Sequence, residues 1–258
     1  LEAECAAQIL PDGGHISRNP AAILDILVDL LPLRQAYTAR GLQPSRILLS
    51  AIDRMMPMLR FFRQGDGKFA HFNGCGDTPA DQLATVLAYD DARGAPLAGA
   101  PHSGYQRVEA AGTVVVLDAG RPPPTDFSVE AHAGCLSFEM SAGHNRIIIN
   151  CGVPIARDGP LRRLARTTAA HTTVTRSWLG EWLGEAIIAG PTRVEAERRN
   201  EGTATTLMAR HNGYADRYGV VHQRRLTLSE SGDTLDGVDS FLTPAGSAVS
   251  RSGTDMFA

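Results

Sequence analysis

Apolar residues fall at two different periods along this chain, and the change of period divides it. After Asn19-Pro20, Ile23, Ile26, Leu27, Leu30 and Leu31 recur at three- and four-residue steps, which predicts an amphipathic helix running to about Ala39. Asn19 suits an N-cap and Pro20 the first helical position; Pro32 predicts a kink and Gly41 a C-terminal cap. A second helix is expected after Pro44-Ser45, with Leu48, Ala51, Ile52, Met55, Leu59 and Phe62 on one face, Pro57 as an interruption and Gly65 as its end. A shorter one, Asp81 to Tyr89, follows the Thr78-Pro79 turn. The two long helices joined by a turn predict an antiparallel pair.

From about Gly104 the period shortens. Thr113-Val114-Val115-Val116-Leu117 reads as a buried strand, Leu136 to Met140 alternates, and Arg146 to Ile149 follows the Gly143-His144-Asn145 turn as the second arm of a hairpin. Further strands are expected at Thr172–Thr175, Arg193–Glu197, Thr205–Ala209, Val220–His222, Arg225–Leu228 and Thr234–Val238, with Asn212-Gly213, Ser231-Gly232-Asp233 and Pro244 as turns. Many short strands at close spacing predict an antiparallel β-sandwich. The expected organisation is therefore α+β: a helical region over 1–92, a Gly/Pro/Ala linker over 93–104, and a sandwich over 105–258. Pro244 to Ala258 never return to a strand pattern, which predicts a sandwich truncated at its C-terminus.

Composition narrows the classes. A chain of 258 residues, 43% hydrophobic, is long enough to bury a sizeable core, so disorder and a disulfide-stapled miniprotein are excluded. A net charge of −3 argues against a protein that coats nucleic acid. No run approaches the ~18 apolar residues of a membrane span, and residues 1–10 lack the pattern of a signal peptide. Lys68 is the only lysine among 25 basic residues, a bias that composition alone assigns to a GC-rich genome, although guanidinium forks also suit carboxylate and sulfate ligands. Cys5, Cys75, Cys135 and Cys151 have no zinc-ribbon spacing, and their pairing is open. A first residue of Leu1 fits a mature protein, a trimmed one or a fragment.

Four segments could carry chemistry. The loop Pro11-Asp12-Gly13-Gly14-His15-Ile16-Ser17-Arg18 places His15 and Arg18 just before a helix N-terminus, where an anion would be favoured; the same residues could merely cap the helix. Asp126 to Phe138 reads as a hairpin arm with His132 among small residues, where an imidazole could move protons, or stay a hydrogen-bonded structural residue. His171, among threonines before an expected strand, could join His132 and Asn150 in a sparse metal site, although no local spacing demands it. His211-Asn212-Gly213-Tyr214 and His222-Gln223-Arg224-Arg225 read first as a hairpin turn with polar strand faces. No P-loop, GxGxxG, GxSxG or HExxH is present, so nucleotide binding and elbow-serine hydrolysis have no support.

Taken in order, these segments resemble the bacterial heparinase II/III-like polysaccharide lyases. Asp12-Gly13-Gly14 is similar to the family's Asp-Gly loop at the end of its (α/α) toroid. His132-Ala133-Gly134-Cys135-Leu136-Ser137-Phe138 resembles its His-x-Asp-x-Gly-Ser-Phe, Asn150-Cys151-Gly152 its Asp-x-Gly, and Ala170-His171-Thr172-Thr173 its Ala-His-Asn-Thr. The tract Arg193 to Leu242 continues the resemblance, which covers nearly the whole chain, as a fragment holding the end of the toroid and the sandwich.

The resemblance implies β-elimination of a uronate-containing acidic polysaccharide, with no cofactor required. A base takes the proton beside a neutralised carboxylate, and an acid protonates the departing glycosidic oxygen. By position, His132 would be the catalytic histidine and His15 a second, with Arg18, His15 and Tyr214 contacting the substrate. His171 and Asn150 would stand near a structural divalent metal such as zinc. The partner would be an acidic polysaccharide, with neither nucleic acid nor membrane insertion, and the location periplasm or cell envelope. The sequence also departs from the family: Ala21, Ala22 and Ile23 occupy the place of its tyrosine, Asn150 that of a metal aspartate, and Gly134 that of the hairpin aspartate. The alternative is a catalytically silent carbohydrate-binding or cell-envelope module on the same scaffold. A purely structural sandwich is the third.

Overall fold

The computed structural model describes residues 1–90, 95–154, 159–175, 182–183, 186–187 and 190–249. The first ninety residues carry four helices: α1 (Glu2–Gln8), α2 (Pro20–Ala39), α3 (Arg46–Phe62) and α4 (Ala80–Leu87). The Asn19 side chain accepts from the Ala21 amide at 2.9 Å and Ser45 Oγ from the Leu48 amide at 3.2 Å, so both long helices start on the expected caps. Each runs unbroken through its internal proline, Pro32 or Pro57, because the flanking Leu30, Leu31, Met56 and Met58 are locked in the core. Helix α1 has no apolar period to announce it and buries only Cys5.

Two antiparallel sheets follow. The first, in order β1-β2-β3-β4-β5, comprises Gly99–Ala100, Tyr105–Ala110, Thr113–Asp118, Phe138–Ala142 and Asn145–Ile148. The segment read as a linker thus contributes edge strand β1, in register with Tyr105 and Gln106. Helix α5 (Pro160–Ala165) and a two-stranded ribbon, β6 (Trp182–Leu183) with β7 (Ala186–Ile187), intervene. The second sheet runs β11-β10-β9-β8: Leu235–Leu242, Val221–Ser229, Ala204–His211 and Val194–Glu201, with the short helix α6 (Ala215–Tyr218) between β9 and β10. The fold is α+β, helices followed by an antiparallel sandwich.

The layers explain the sequence pattern of β3, which is buried at every position. Val114 and Val116 face the helices and share their core with Leu27, Leu59 and Phe62. Val115 and Leu117 face the second sheet and pack with Leu207, Ala209, Leu226 and Leu228. A strand covered on both faces has no reason to alternate. The inward face of the second sheet does alternate, but it changes character along its length: beyond the leucines come His211, His222 and Arg224, all buried.

Several expectations are corrected. Thr172–Thr175 form no strand, because Thr172 is used sideways: its Oγ1 donates to the Phe138 carbonyl at 2.5 Å and accepts from the Phe138 amide at 2.9 Å. Val220–His222 and Arg225–Leu228 are one strand, β10, because Arg224 between them is turned inward. Asp126–Ser137 are not a hairpin arm but a 3-10 turn (Thr125–Phe127) and irregular loop, with Leu136 at φ 60°. The cysteines form no disulfide; all four are free thiols. Of the C-terminal tail, residues 250–258 lie outside the described residues, as do 93–94 of the expected linker.

The helical layer is fastened to the first sheet by a buried ion pair. Arg18, held at φ 62° in the turn before α2, sends Nη2 to Asp118 Oδ1 at the end of β3 (2.5 Å) and Nε to the Ser103 carbonyl (2.7 Å). Burial works against the guanidinium's charge, but the facing carboxylate overrides it and holds Arg18 protonated. Asp118 Oδ1 also accepts the Gly120 amide at 3.1 Å and Oδ2 the Asn73 amide group at 3.1 Å. Asp118→Ala would leave a buried charge without its partner. We expect a loss of about 3–5 kcal/mol in denaturant unfolding; a loss below about 1 kcal/mol would show that the pair does not hold the layers together.

Candidate functional site

The loops between β3 and β4 and after α5 meet over one end of the sandwich, and there His132 and His171 come together. His171 Nδ1 donates to the Thr167 carbonyl at 2.7 Å, which leaves its Nε2 as an acceptor. His132 Nδ1 is 3.0 Å from that Nε2 and therefore carries the hydrogen. The chain of bonds fixes both tautomers and leaves His132 Nε2 as a bare lone pair. That atom is buried and has no hydrogen-bond partner among the described residues. Burial, then His171, Arg166 and Arg162, hold the His132 pKa well below its ordinary value, so the ring is neutral at neutral pH.

The loop around His132 is pinned on several sides. Arg166 donates Nε to the Ala131 carbonyl (2.9 Å) and Nη2 to the Ser128 carbonyl (3.1 Å), and its own carbonyl accepts the Ala133 amide. Asn73, at φ 46°, accepts the His132 amide at 3.3 Å while its Nδ2 reaches Tyr105 and Asp118. A Cβ at Gly134 would sit 2.7 Å from His171 Cδ2, so glycine at that position is what lets the second imidazole lie against the loop.

The second sheet props the same loops. His211 and His222 are 3.3 Å apart, His222 Nε2 is 2.8 Å from Asp239 Oδ1, and Arg224 grips both oxygens of Asp239. The remaining Arg224 nitrogen donates to the Leu136 carbonyl at 2.7 Å and to that of Thr172. Burial, with His222 and Arg224 adding to it, pushes His211 down to about 3, and the Arg224 and His222 hydrogen bonds hold Asp239 low against its burial. This network is structural: its groups are spent on one another and on loop carbonyls.

The other expected site residues are engaged elsewhere. His15 is a loop clasp, its Nδ1 against Ser17 at 2.6 Å and its Nε2 against Gln8 Oε1 at 3.0 Å, so neither nitrogen is open to a substrate. Arg18 belongs to the Asp118 pair. Tyr214 is buried and donates its hydroxyl to the Val174 carbonyl at 2.6 Å. Neither His15 nor Tyr214 stands with His132, and Arg18 reaches it only through Asp118 and Asn73.

The donor set does not fit a metal ion. Both His171 nitrogens are taken, Asn150 Oδ1 accepts the Thr172 amide (3.0 Å) and hydroxyl (3.3 Å), and Gly134 offers no side chain. Among the described residues no three His, Cys, Asp or Glu side chains are grouped to hold one.

Sequence reading missed Asn73, Glu139, Arg166 and the Arg224–Asp239 pair. Two carried a signal: Arg224 shares a period-two face with Leu226 and Leu228, and Glu139 lies inside an alternating strand, so each is a charged group turned into a core. Glu139 is fully buried; its Oε1 accepts the His71 (2.9 Å) and Asn150 (3.0 Å) amides and its Oε2 pairs with Arg146 (3.1 Å). Asn73 and Arg166 gave no sign.

Residues 92–253 match the family model "Heparinase II/III-like, C-terminal", and the chain belongs to that family. It is 35% identical over 242 residues to "FtsZ-localized protein C" of Caulobacter vibrioides, covering 91% of this chain and 42% of that protein. Among solved structures it resembles heparinase III (TM-score 0.71, 16% identity, 94% of this chain and 42% of that one). It also resembles the heparan sulfate lyase HepC from Pedobacter heparinus (TM-score 0.64, 17% identity, 93% and 40%). At these identities the solved structures speak for the fold alone. The chain spans less than half the length of these relatives.

Glu139 makes stability pH-dependent. Burial pushes its carboxyl up to about 7, against the two amides and Arg146. The unfolded chain releases this proton near 4.5 and the folded one near 7, so the folded state binds the extra proton between those values and stability falls as pH rises through them. We expect Glu139→Gln to flatten this loss, on the order of 3 kcal/mol, in unfolding curves at pH 5 and 7.5. Parallel pH dependence in both proteins would remove Glu139 as its source.

Proposed function

We propose that this chain carries the proton-transfer half of a lyase site acting on a uronate-containing acidic polysaccharide. The observation that carries the reading is the buried, unpartnered Nε2 lone pair of His132, its tautomer set by His171. In this reading Nε2 takes the proton alpha to the uronate carboxylate, and the electron pair left behind forms the C=C bond. The bond to the glycosidic oxygen breaks, and that oxygen is protonated by the imidazolium or by solvent. Residues from the remainder of the protein would neutralise the carboxylate, since Arg18 and His15 are committed elsewhere. No metal or redox cofactor enters these steps. The family scaffold supports an acidic polysaccharide as the partner, and the location proposed with it is periplasm or cell envelope. No helix among the described residues is long and apolar enough to cross a membrane.

A second reading, a silent carbohydrate-binding or cell-envelope module, is favoured by one observation. Ala21, Ala22 and Ile23 stand at the start of α2 where a lyase of this family carries its tyrosine, and Tyr105, which reaches the His132 loop through Asn73, is buried and donates its hydroxyl to the Arg18 carbonyl. The 35%-identical relative, moreover, is named for localisation to FtsZ and not for a reaction.

The two separate in one assay. The full-length protein, with the residues that neutralise the carboxylate, is incubated with heparan sulfate, alginate, hyaluronan and bacterial exopolysaccharides while the ultraviolet absorbance of the new C=C bond is followed. We expect a rise that is lost in His132→Ala and His132→Gln, each checked for its fold by circular dichroism. Activity retained in a folded variant takes His132 out of the mechanism; a flat trace with retained binding establishes the silent module. If the rise is found, its pH profile should hold its activity well below pH 6.5, because the neutral imidazole is the active form and its pKa is lowered. An acid limb at or above 6.5 would contradict the burial of the ring.

A further inference from the structure

Away from His132 the molecule has an open cleft of about 890 Å³ between the Arg18 turn, the end of β3 and the segment leading into β8. One wall is Pro122-Pro123-Pro124, three residues with fixed φ that hold their shape without help. The charged and titratable side chains lining it are Arg18, His102, Arg121 and Arg193; among the described residues no carboxylate lines it. Asp12 stands behind the wall and does not line the cleft: its oxygens accept the amides of Gly14, His102 and Ser103. Arg18 forms the floor and is neutralised by Asp118. Arg193 leans on Glu195 but keeps a largely exposed side chain. Arg121 is exposed and makes no ion pair or hydrogen bond among the described residues.

We infer that this cleft is a binding subsite for an anionic oligosaccharide, with Arg121 and Arg193 as its charge-reading residues and the proline wall as the surface on which a sugar ring lies. Guanidinium forks match carboxylate and sulfate oxygens in pairs. A cleft lined by one sign of charge concentrates ligands of the other. The volume accommodates a few sugar rings, within the range of small-molecule sites. The cleft is joined to the first site through its floor. Arg18 bonds Asp118 Oδ1, Asp118 Oδ2 bonds Asn73, and Asn73 Oδ1 holds the His132 amide. The choice of a saccharide rests on the function proposed above; the anion preference rests on the cleft itself.

The test is calorimetric titration of the full chain with a heparin-derived hexasaccharide and with a neutral cellulose-derived hexasaccharide. Wild type should bind the acidic one and not the neutral one, more weakly as salt rises. Arg121→Ser and Arg193→Ser should each weaken binding by about five- to tenfold and Arg121→Glu by more, while Arg225→Ser, an exposed arginine on β10 away from the cleft, retains the wild-type affinity. Unchanged affinity in the arginine variants, equal binding of the neutral sugar, or no binding by wild type would each overturn the subsite. The outcome is independent of catalysis: binding that depends on Arg121 without C=C formation keeps the cleft and loses the lyase, and C=C formation with Arg121→Glu unimpaired does the reverse.

Discussion

A guanidinium that cannot be left alone organises this molecule. Arg18 sits in the turn between the helical layer and the sheet, out of reach of water, and is tolerable there only because Asp118 faces it. That requirement fixes where the end of β3 must lie relative to the start of α2. It then spreads: the second oxygen of Asp118 holds Asn73, and Asn73 holds both the Tyr105 hydroxyl and the backbone of His132. The position of the candidate base is thus a consequence of a charge buried three hydrogen bonds away.

The same logic runs from the opposite face. The second sheet spends its polar end on a closed set of His211, His222, Asp239 and Arg224, and the one unspent Arg224 nitrogen goes to the carbonyls of Leu136 and Thr172. The His132 and His171 loops have no ladder of their own, so their rigidity comes from side-chain donors in neighbouring layers. That is how irregular backbone can hold two imidazoles in a fixed relation with only one lone pair free.

The periodic parts of the fold were legible in the sequence for a simple reason. Burial on one face imposes a period, and Ile23 to Leu31, Leu48 to Phe62 and strands β9 and β10 obey it. The site was legible only where a short motif carried it, as for His132 and His171. Arg18 shows why the rest was not: a loop arginine beside a helix start reads alike whether its partner is a ligand or an aspartate a hundred residues further on. His15 and Tyr214 misled in the same manner, since the bonds that absorb them run to Gln8 and Val174, and nothing local announces either. Thr172 was lost to its own hydroxyl, which replaced a strand ladder with a sideways bond.

Strand β3 has a bearing on how this molecule can be handled. Its six residues are covered by helices on one side and by the second sheet on the other. Neither half can be separated without exposing Val114 and Val116, or Val115 and Leu117, as a charge-free β-prone run of the kind that templates aggregation. The helices and the sandwich thus share the burial of one strand. A cut through the segment around Gly99 would part edge strand β1 from β2 and uncover the face of β3 that holds Val114 and Val116.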